Sequence, residues 1–198
     1  MNPVESVIEK RENGFVIAEA ARLWIEPDDL VMDVTYGRGL WWTKYKPIRF
    51  IAHDLQLDGV DFRHLPEESS SIDVVAFDPP YISIGSLTTS TIPDFHARYG
   101  LGGIKGFEAL MEMNMSGLTE CARVLRIGGR ILAKSQDYVE GGRYCPGHFR
   151  LIQKALTLGL EIVDEFVHVR GPGPQPKNRR QVHSRRVHSF LSIFSRVR

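Results

Sequence analysis

Leu30-Val31-Met32-Asp33-Val34-Thr35-Tyr36-Gly37-Arg38-Gly39 decides the fold. A short apolar run with strand character breaks at an acid and two glycines, and the helix-compatible Leu40-Trp41-Trp42-Thr43-Lys44-Tyr45 follows. Strand, glycine turn and helix open a βαβ unit. Working outward, Arg49-Phe50-Ile51-Ala52-His53-Asp54 reads as a second strand and Val60-Asp61-Phe62 as a short extended third. Ser71 to Phe77 reads as a fourth and runs straight into Asp78-Pro79-Pro80-Tyr81. Upstream, the apolar spacing predicts an amphipathic helix from Glu12 that is stopped at Pro27-Asp28-Asp29. Downstream, the pattern predicts a helix over 107–125, a strand over 130–134 after Gly128-Gly129, a helix over 148–158 and an extended segment over 160–169. A last strand over 189–194 closes the chain as an antiparallel pair with the segment before it. Strands alternating with helix-length segments imply parallel pairing with right-handed crossovers. The expectation is one α/β domain over 1–198: a mostly parallel seven-stranded sheet, a C-terminal antiparallel strand pair and helices on both faces. Two long loops interrupt it, 82–106 and the basic 170–187.

The 198 residues, 42% hydrophobic and 25% charged, fit a globular domain with a sizeable core. Two cysteines, Cys121 and Cys145, are too few for a disulfide framework and imply a reducing, cytoplasmic setting. Met1 to Gly14 lacks the continuous apolar core of a signal peptide, and no run approaches the ~20 apolar residues that span a bilayer. No residue spacing calls for a metal. The net charge of +1 looks unsuited to a nucleic-acid partner, yet it conceals two opposed regions. Through Glu165 there are 17 Lys and Arg against 24 Asp and Glu, whereas the remaining residues hold eight basic residues and no acid.

In a doubly wound sheet the ligand lies beyond the carboxyl ends of the strands. Asp33, Asp54 and Asp61 fall at three successive predicted strand ends, and Gly37 and Gly39 let the backbone approach a ligand closely. An acid at the second strand end suits ribose hydroxyls. Asp61 followed by Phe62 suits an exocyclic amine and an adenine face. Asp78-Pro79-Pro80-Tyr81 is the sharpest feature: the prolines stiffen the backbone and remove two amide donors. A carbonyl and the Asp78 carboxylate then stand as acceptors beside an aromatic ring, which is what a planar heterocyclic amine requires.

These motifs resemble the S-adenosylmethionine-dependent amino-methyltransferases of the Rossmann-like class I fold that act on adenine N6 or cytosine N4 in DNA, including small methylases of actinobacteria and their phages. The resemblance covers Val31 to about Gln136 and includes Arg123 to Lys134 before the fifth strand. It implies S-adenosylmethionine as cofactor, with Asp33, Thr35, Tyr36, Gly37 and Gly39 around its methionine part, Asp54 at the ribose and Asp61 with Phe62 at the adenine. Thr35-Tyr36 departs from the Pro-Phe that many members carry there. The resemblance assigns Asp78, Pro79, Pro80 and Tyr81 to catalysis, with DNA adenine N6 as the leading target and a base amine in RNA as the alternative. A non-catalytic nucleic-acid-binding module is a further alternative, against which the intact tetrapeptide argues. Arg98 in the first loop, and Lys177, Arg179, Arg180, Arg185 and Arg186 in the basic one, are the candidate phosphate contacts.

Overall fold

A computed structural model describes residues 8–9, 12–81, 105–171 and 181–197. The elements are β1 (Ile8–Glu9), α1 (Asn13–Trp24), β2 (Leu30–Asp33), a single 3-10 turn (Leu40–Thr43), β3 (Arg49–Ala52), β4 (Ile72–Phe77), α2 (Phe107–Val124), β5 (Leu125–Ser135), β6 (Tyr138–Glu140), β7 (Arg143–Cys145), α3 (Gly147–Thr157), β8 (Leu160–Val169) and β9 (His188–Arg196). The main sheet runs β1-β8-β9-β5-β4-β2-β3. Its β2–β3, β2–β4, β4–β5 and β1–β8 pairs are parallel, while β9 lies antiparallel between β5 and β8.

The mixed sheet matches the expected class but not the expected count. Six strands have four or more residues, and a seventh arises only from the two-residue β1. The extended piece expected at Val60-Asp61-Phe62 forms no strand. There Arg63 bonds Asp61 through its own backbone and side chain, and Phe62 turns into the core against Phe77. The expected helix after Gly39 shrinks to the one 3-10 turn. An additional hairpin, β6–β7, was not anticipated; its turn is Gly141-Gly142, both with positive φ, as a two-residue hairpin of matching twist requires.

Alternation along the central strands feeds two cores. On one face Met32, Val75, Phe77, Ile131 and Ala133 pack with Leu110, Met113 and Leu118 of α2 and Leu151 and Ala155 of α3. On the other, Val31, Val74, Ala76 and Leu132 pack with Val16, Ile17, Ala20 and Ala21 of α1 and with Trp41 and Trp42. Helices therefore cover both faces. Gly117 on α2 is what admits Phe62: a Cβ there would lie 2.4 Å from its ring. Among the described residues, no helix is long and apolar enough to cross a membrane.

This order positions a site. From β2 the chain steps to β3 on one side and then returns to place β4 on the other. The carboxyl ends of β2 and β4 therefore flank the reversal of strand order, the crevice where open α/β sheets bind ligands. Asp33 and Asp78 stand at those two ends.

Candidate functional site

Thr35 ties the two strand ends together. Its hydroxyl donates to Asp33 Oδ1 at 3.3 Å and accepts from the Asp78 backbone N–H at 2.8 Å, while its own N–H donates to Asp33 Oδ1 at 2.9 Å. A proline at this position could make neither the hydroxyl contacts nor the backbone donation. The departure at Thr35 is thus a coherent local solution.

Two adjacent indoles complete the clamp. Trp42 Nε1 donates to Asp33 Oδ2 at 2.7 Å, and Trp41 Nε1 donates to Asp78 Oδ2 at 2.9 Å. Gly39, left-handed at φ +66°, turns the chain into the segment that delivers both rings; a Cβ there would lie 2.6 Å from Tyr36 Oη. Asp33 consequently has both oxygens engaged from within, rather than free toward a ligand. Burial, resisted by these hydrogen bonds, pushes its carboxyl up to about 7.

Asp78 is different. Its Oδ1 is buried and, among the described residues, has no hydrogen-bond partner. Burial pushes its carboxyl up, and Lys134, the Trp41 N–H, Arg170 and His168 draw it back down. The Phe77–Ala133 register carries Lys134 alongside Asp78 at the next position of the neighbouring strand. Lys134 is itself buried, its ammonium pushed down by that burial, and it donates to Asn13 Oδ1 at 2.6 Å.

The rest of the tetrapeptide is fastened around this carboxylate. Asn114 Nδ2 of α2 donates to the Pro80 carbonyl at 2.7 Å, leaving Pro79 to line a narrow cavity of about 10 Å³ with Tyr81, Lys134 and Gln136. That is room for about one water molecule. Arg170 hydrogen-bonds Tyr81 and also donates to Gln136 Oε1 at 2.9 Å. Burial, with Asp78 nearby, pushes the Tyr81 phenol up to about 12, so it stays protonated. A cleft of about 640 Å³ meets this group at Arg170, bounded by Asn13 and Gly14 of α1, by Leu40 and Thr43, by His168 of β8 and by Arg170 after it.

The glycine loop reaches across to β3. Gly37 N–H donates to Asp54 Oδ2 at 3.2 Å and Tyr36 N–H to the His53 carbonyl at 3.1 Å, so Asp54 does stand at the loop's edge, although its other oxygen caps Gln56 N–H. Tyr36 packs on Phe50. In front of Gly37, also left-handed, a Cβ would meet nothing nearer than the Thr35 carbonyl at 3.8 Å. Asp61 and Phe62 do not join the site. The Asp61 carboxylate is held by Arg63, whose hydrogen bonds outweigh burial and keep it below its ordinary value, and Phe62 is a core residue.

Of the expected phosphate contacts, Arg98, Lys177, Arg179 and Arg180 lie outside the described residues. Arg185 is exposed, and Arg186 sits 4.9 Å over the Tyr144 ring of the β6–β7 hairpin. Sequence reasoning missed Trp41, Trp42, Lys134, Arg170 and Asn114. The Trp-Trp doublet stands in plain view two residues after Gly39, but such a pair reads as core.

No protein-family model matches the chain, and no curated protein matches it. Solved structures do. A candidate methyltransferase of Bacillus halodurans superposes with a TM-score of 0.58 at 12% identity, covering 91% of this chain and 98% of that one. This chain has a methyltransferase fold. A structure of the Haloferax volcanii Trm112 methyltransferase activator with a candidate methyltransferase gives 0.51 at 14% identity, covering 94% and 90%. A candidate DNA modification methylase of Thermus thermophilus, crystallised with S-adenosylmethionine, gives 0.47 at 17% identity over 69% of this chain. The chain spans about half the length of that methylase, 53%.

Proposed function

We propose that the chain transfers a methyl group from S-adenosylmethionine to an exocyclic amino nitrogen of a nucleic-acid base, with adenine N6 in DNA as the leading target. The observation that carries this reading is the buried, partnerless Oδ1 of Asp78 at the reversal of strand order. A buried acceptor without a donor is costly unless a ligand supplies one. An amine N–H is a donor that answers it.

The site's residues fit the cofactor. The open space before Gly37 and the acid at the end of β3 suit the methionine part and the ribose, and Asp33 and Thr35 brace that loop from behind. The cofactor supplies an electrophilic methyl on a sulfonium. What the chain itself must do is make a poor nucleophile attack. The lone pair of a base amine is conjugated into its ring. A hydrogen bond from that amine to Asp78 Oδ1 favours a pyramidal nitrogen and stabilises the positive charge that develops on it. Pro79 and Pro80 hold the carboxylate's backbone rigid, Asn114 anchors the turn, and Tyr81 offers a ring to stack on the base. The adjacent cleft of about 640 Å³ is large enough for an extruded nucleobase. Arg185 and Arg186, with Lys177, Arg179 and Arg180, carry the positive charge that suits phosphate contacts.

The test is tritiated-methyl transfer from S-adenosylmethionine to duplex DNA, single-stranded DNA and RNA. Wild type should label at least one of these, and Asp78→Ala should lower the rate at least a hundredfold, the order expected on losing a main stabiliser of transition-state charge. Labelling of RNA alone moves the target to RNA. No labelling by wild type, together with no calorimetric binding of the cofactor, refutes the reading.

A further inference from the structure

We infer that Trp41 is a positioning residue for the reaction: its indole N–H occupies Asp78 Oδ2 and leaves Oδ1 as the carboxylate oxygen that a substrate amine can engage. The inference rests on the methyl-transfer reading and assigns Trp41 a role that acts through Asp78.

An aspartate has two chemically equal oxygens, and rotation about its last bond exchanges them. Asp78 shows them unequal, with Oδ2 bonded to Trp41 Nε1 at 2.9 Å and Oδ1 buried without a partner. Turning the carboxylate out of its present plane would break that bond inside a buried site, so the indole fixes the plane of the carboxylate and with it the position of the oxygen left without a donor. Trp41 is itself held. Its ring is buried among α1 and the sheet, and its neighbour Trp42 is fastened to Asp33 Oδ2. The doublet is therefore pinned at both strand ends of the crevice.

The other groups that bear on Asp78 arrive from different elements: Lys134 from β5, His168 and Arg170 from the end of β8, and Asp33 from β2. Lys134 Nζ bonds Asn13, and the Arg170 guanidinium bonds Tyr81 and Gln136. They set the charge around Asp78. The bond that selects between its oxygens comes from Trp41.

Trp24 provides a matched control. Its Nε1 donates to Asp164 Oδ2 at 2.9 Å, the same chemistry at the other end of α1. The 12 residues of that helix separate the two ends by about 17 Å.

The experiment is a carbon-13 carboxyl titration of the full chain, with Asp78 assigned by its loss in Asp78→Asn. In Trp41→Phe the Asp78 midpoint should rise, because a hydrogen bond to the ionised form has gone. In Trp24→Phe it should stay in place. Methyl transfer by Trp41→Phe should show kcat lowered by roughly 10- to 100-fold with little change in KM, and the acid limb of its pH profile moved upward, as expected for one charge-assisted hydrogen bond. An unchanged Asp78 midpoint in folded Trp41→Phe overturns the assignment. If that variant does not fold, the Trp41 indole N–H resonance of wild type decides. It should follow the Asp78 titration and lose that dependence in Asp78→Asn, and a resonance that ignores it overturns the assignment too. Absence of methyl transfer by wild type would sink the functional reading, while the two NMR measurements would still decide the Trp41–Asp78 bond.

Discussion

Replacing Asp33 by Asn should change how the stability of this protein depends on pH. Burial, against the pull of hydrogen bonds from Trp42 and Thr35 and helped by the nearby Asp78 charge, moves the Asp33 carboxyl from 3.8 to about 7. The native state therefore holds a proton at Asp33 over a range where the unfolded chain has released it. A carboxyl raised on folding contributes stability that is full below about pH 4 and is lost as pH climbs through about 7. At ~1.36 kcal/mol per pH unit, a move from 3.8 to about 7 corresponds to about 4 kcal/mol. The raw profile of wild type mixes this with carboxylates held low in the native state, among them Asp58, Asp61, Glu120 and Glu165, whose contributions fade in acid. Subtracting the Asp33→Asn profile cancels them. An amide does not titrate, and the cost of facing its NH2 toward the Trp42 and Thr35 donors enters as an offset independent of pH. Urea unfolding followed by circular dichroism at pH 4, 5, 6, 7 and 8 measures the difference. Asn should gain on Asp by about 4 kcal/mol across that range, or roughly 2 M in urea midpoint at a slope of about 2 kcal/mol/M. A difference that stays level within about 0.5 kcal/mol would refute the reasoning, because Asp33 would then titrate alike in both states.

Gly39→Ala should destabilise the fold by about 1–3 kcal/mol, since it combines a left-handed backbone with a Cβ 2.6 Å from Tyr36 Oη; a thermal midpoint equal to that of wild type would refute it. The same variant should weaken methyl transfer, because Gly39 delivers Trp41 to Asp78. Reversing the charges of Arg179, Arg180, Arg185 and Arg186 together should weaken DNA binding and flatten its dependence on log salt while leaving cofactor affinity alone; unchanged DNA affinity by fluorescence anisotropy would remove those residues from the interface.

Much of the sheet is legible because buried parallel strands are written as short apolar runs. Leu30–Asp33 and Ile72–Phe77 are of this kind, and their ends can be read from the acids, prolines and glycines that follow. Val60-Asp61-Phe62 reads the same way and forms no strand, because one inward aromatic in a loop leaves the same local pattern as a strand's buried position. Asp78 announces itself through its prolines. Trp41 and Trp42 do not, since an aromatic doublet reads as core, and core they are; their N–H groups become functional only once folding aims them at two carboxylates. Lys134 is hidden for a related reason. A lysine ending an apolar run looks like an exit to solvent, but β5 lies at the centre of the sheet, between β4 and β9.

The way the sheet ends governs how this chain meets copies of itself. A long apolar strand with unpaired amides is a template for aggregation. Here β3 closes one side with four residues that begin at the exposed Arg49, too short a row to recruit a partner. At the far side, among the described residues, β1 pairs with Val167 and His168 of β8. The remainder of β8 carries the exposed Glu161 and an irregularity in pairing between Ile162 and Asp164, both of which spoil a flat pairing surface. Among the described residues, the ten-residue β8 thus meets its open side with a short neighbour, charge and a bulge, each of which opposes edge-to-edge stacking.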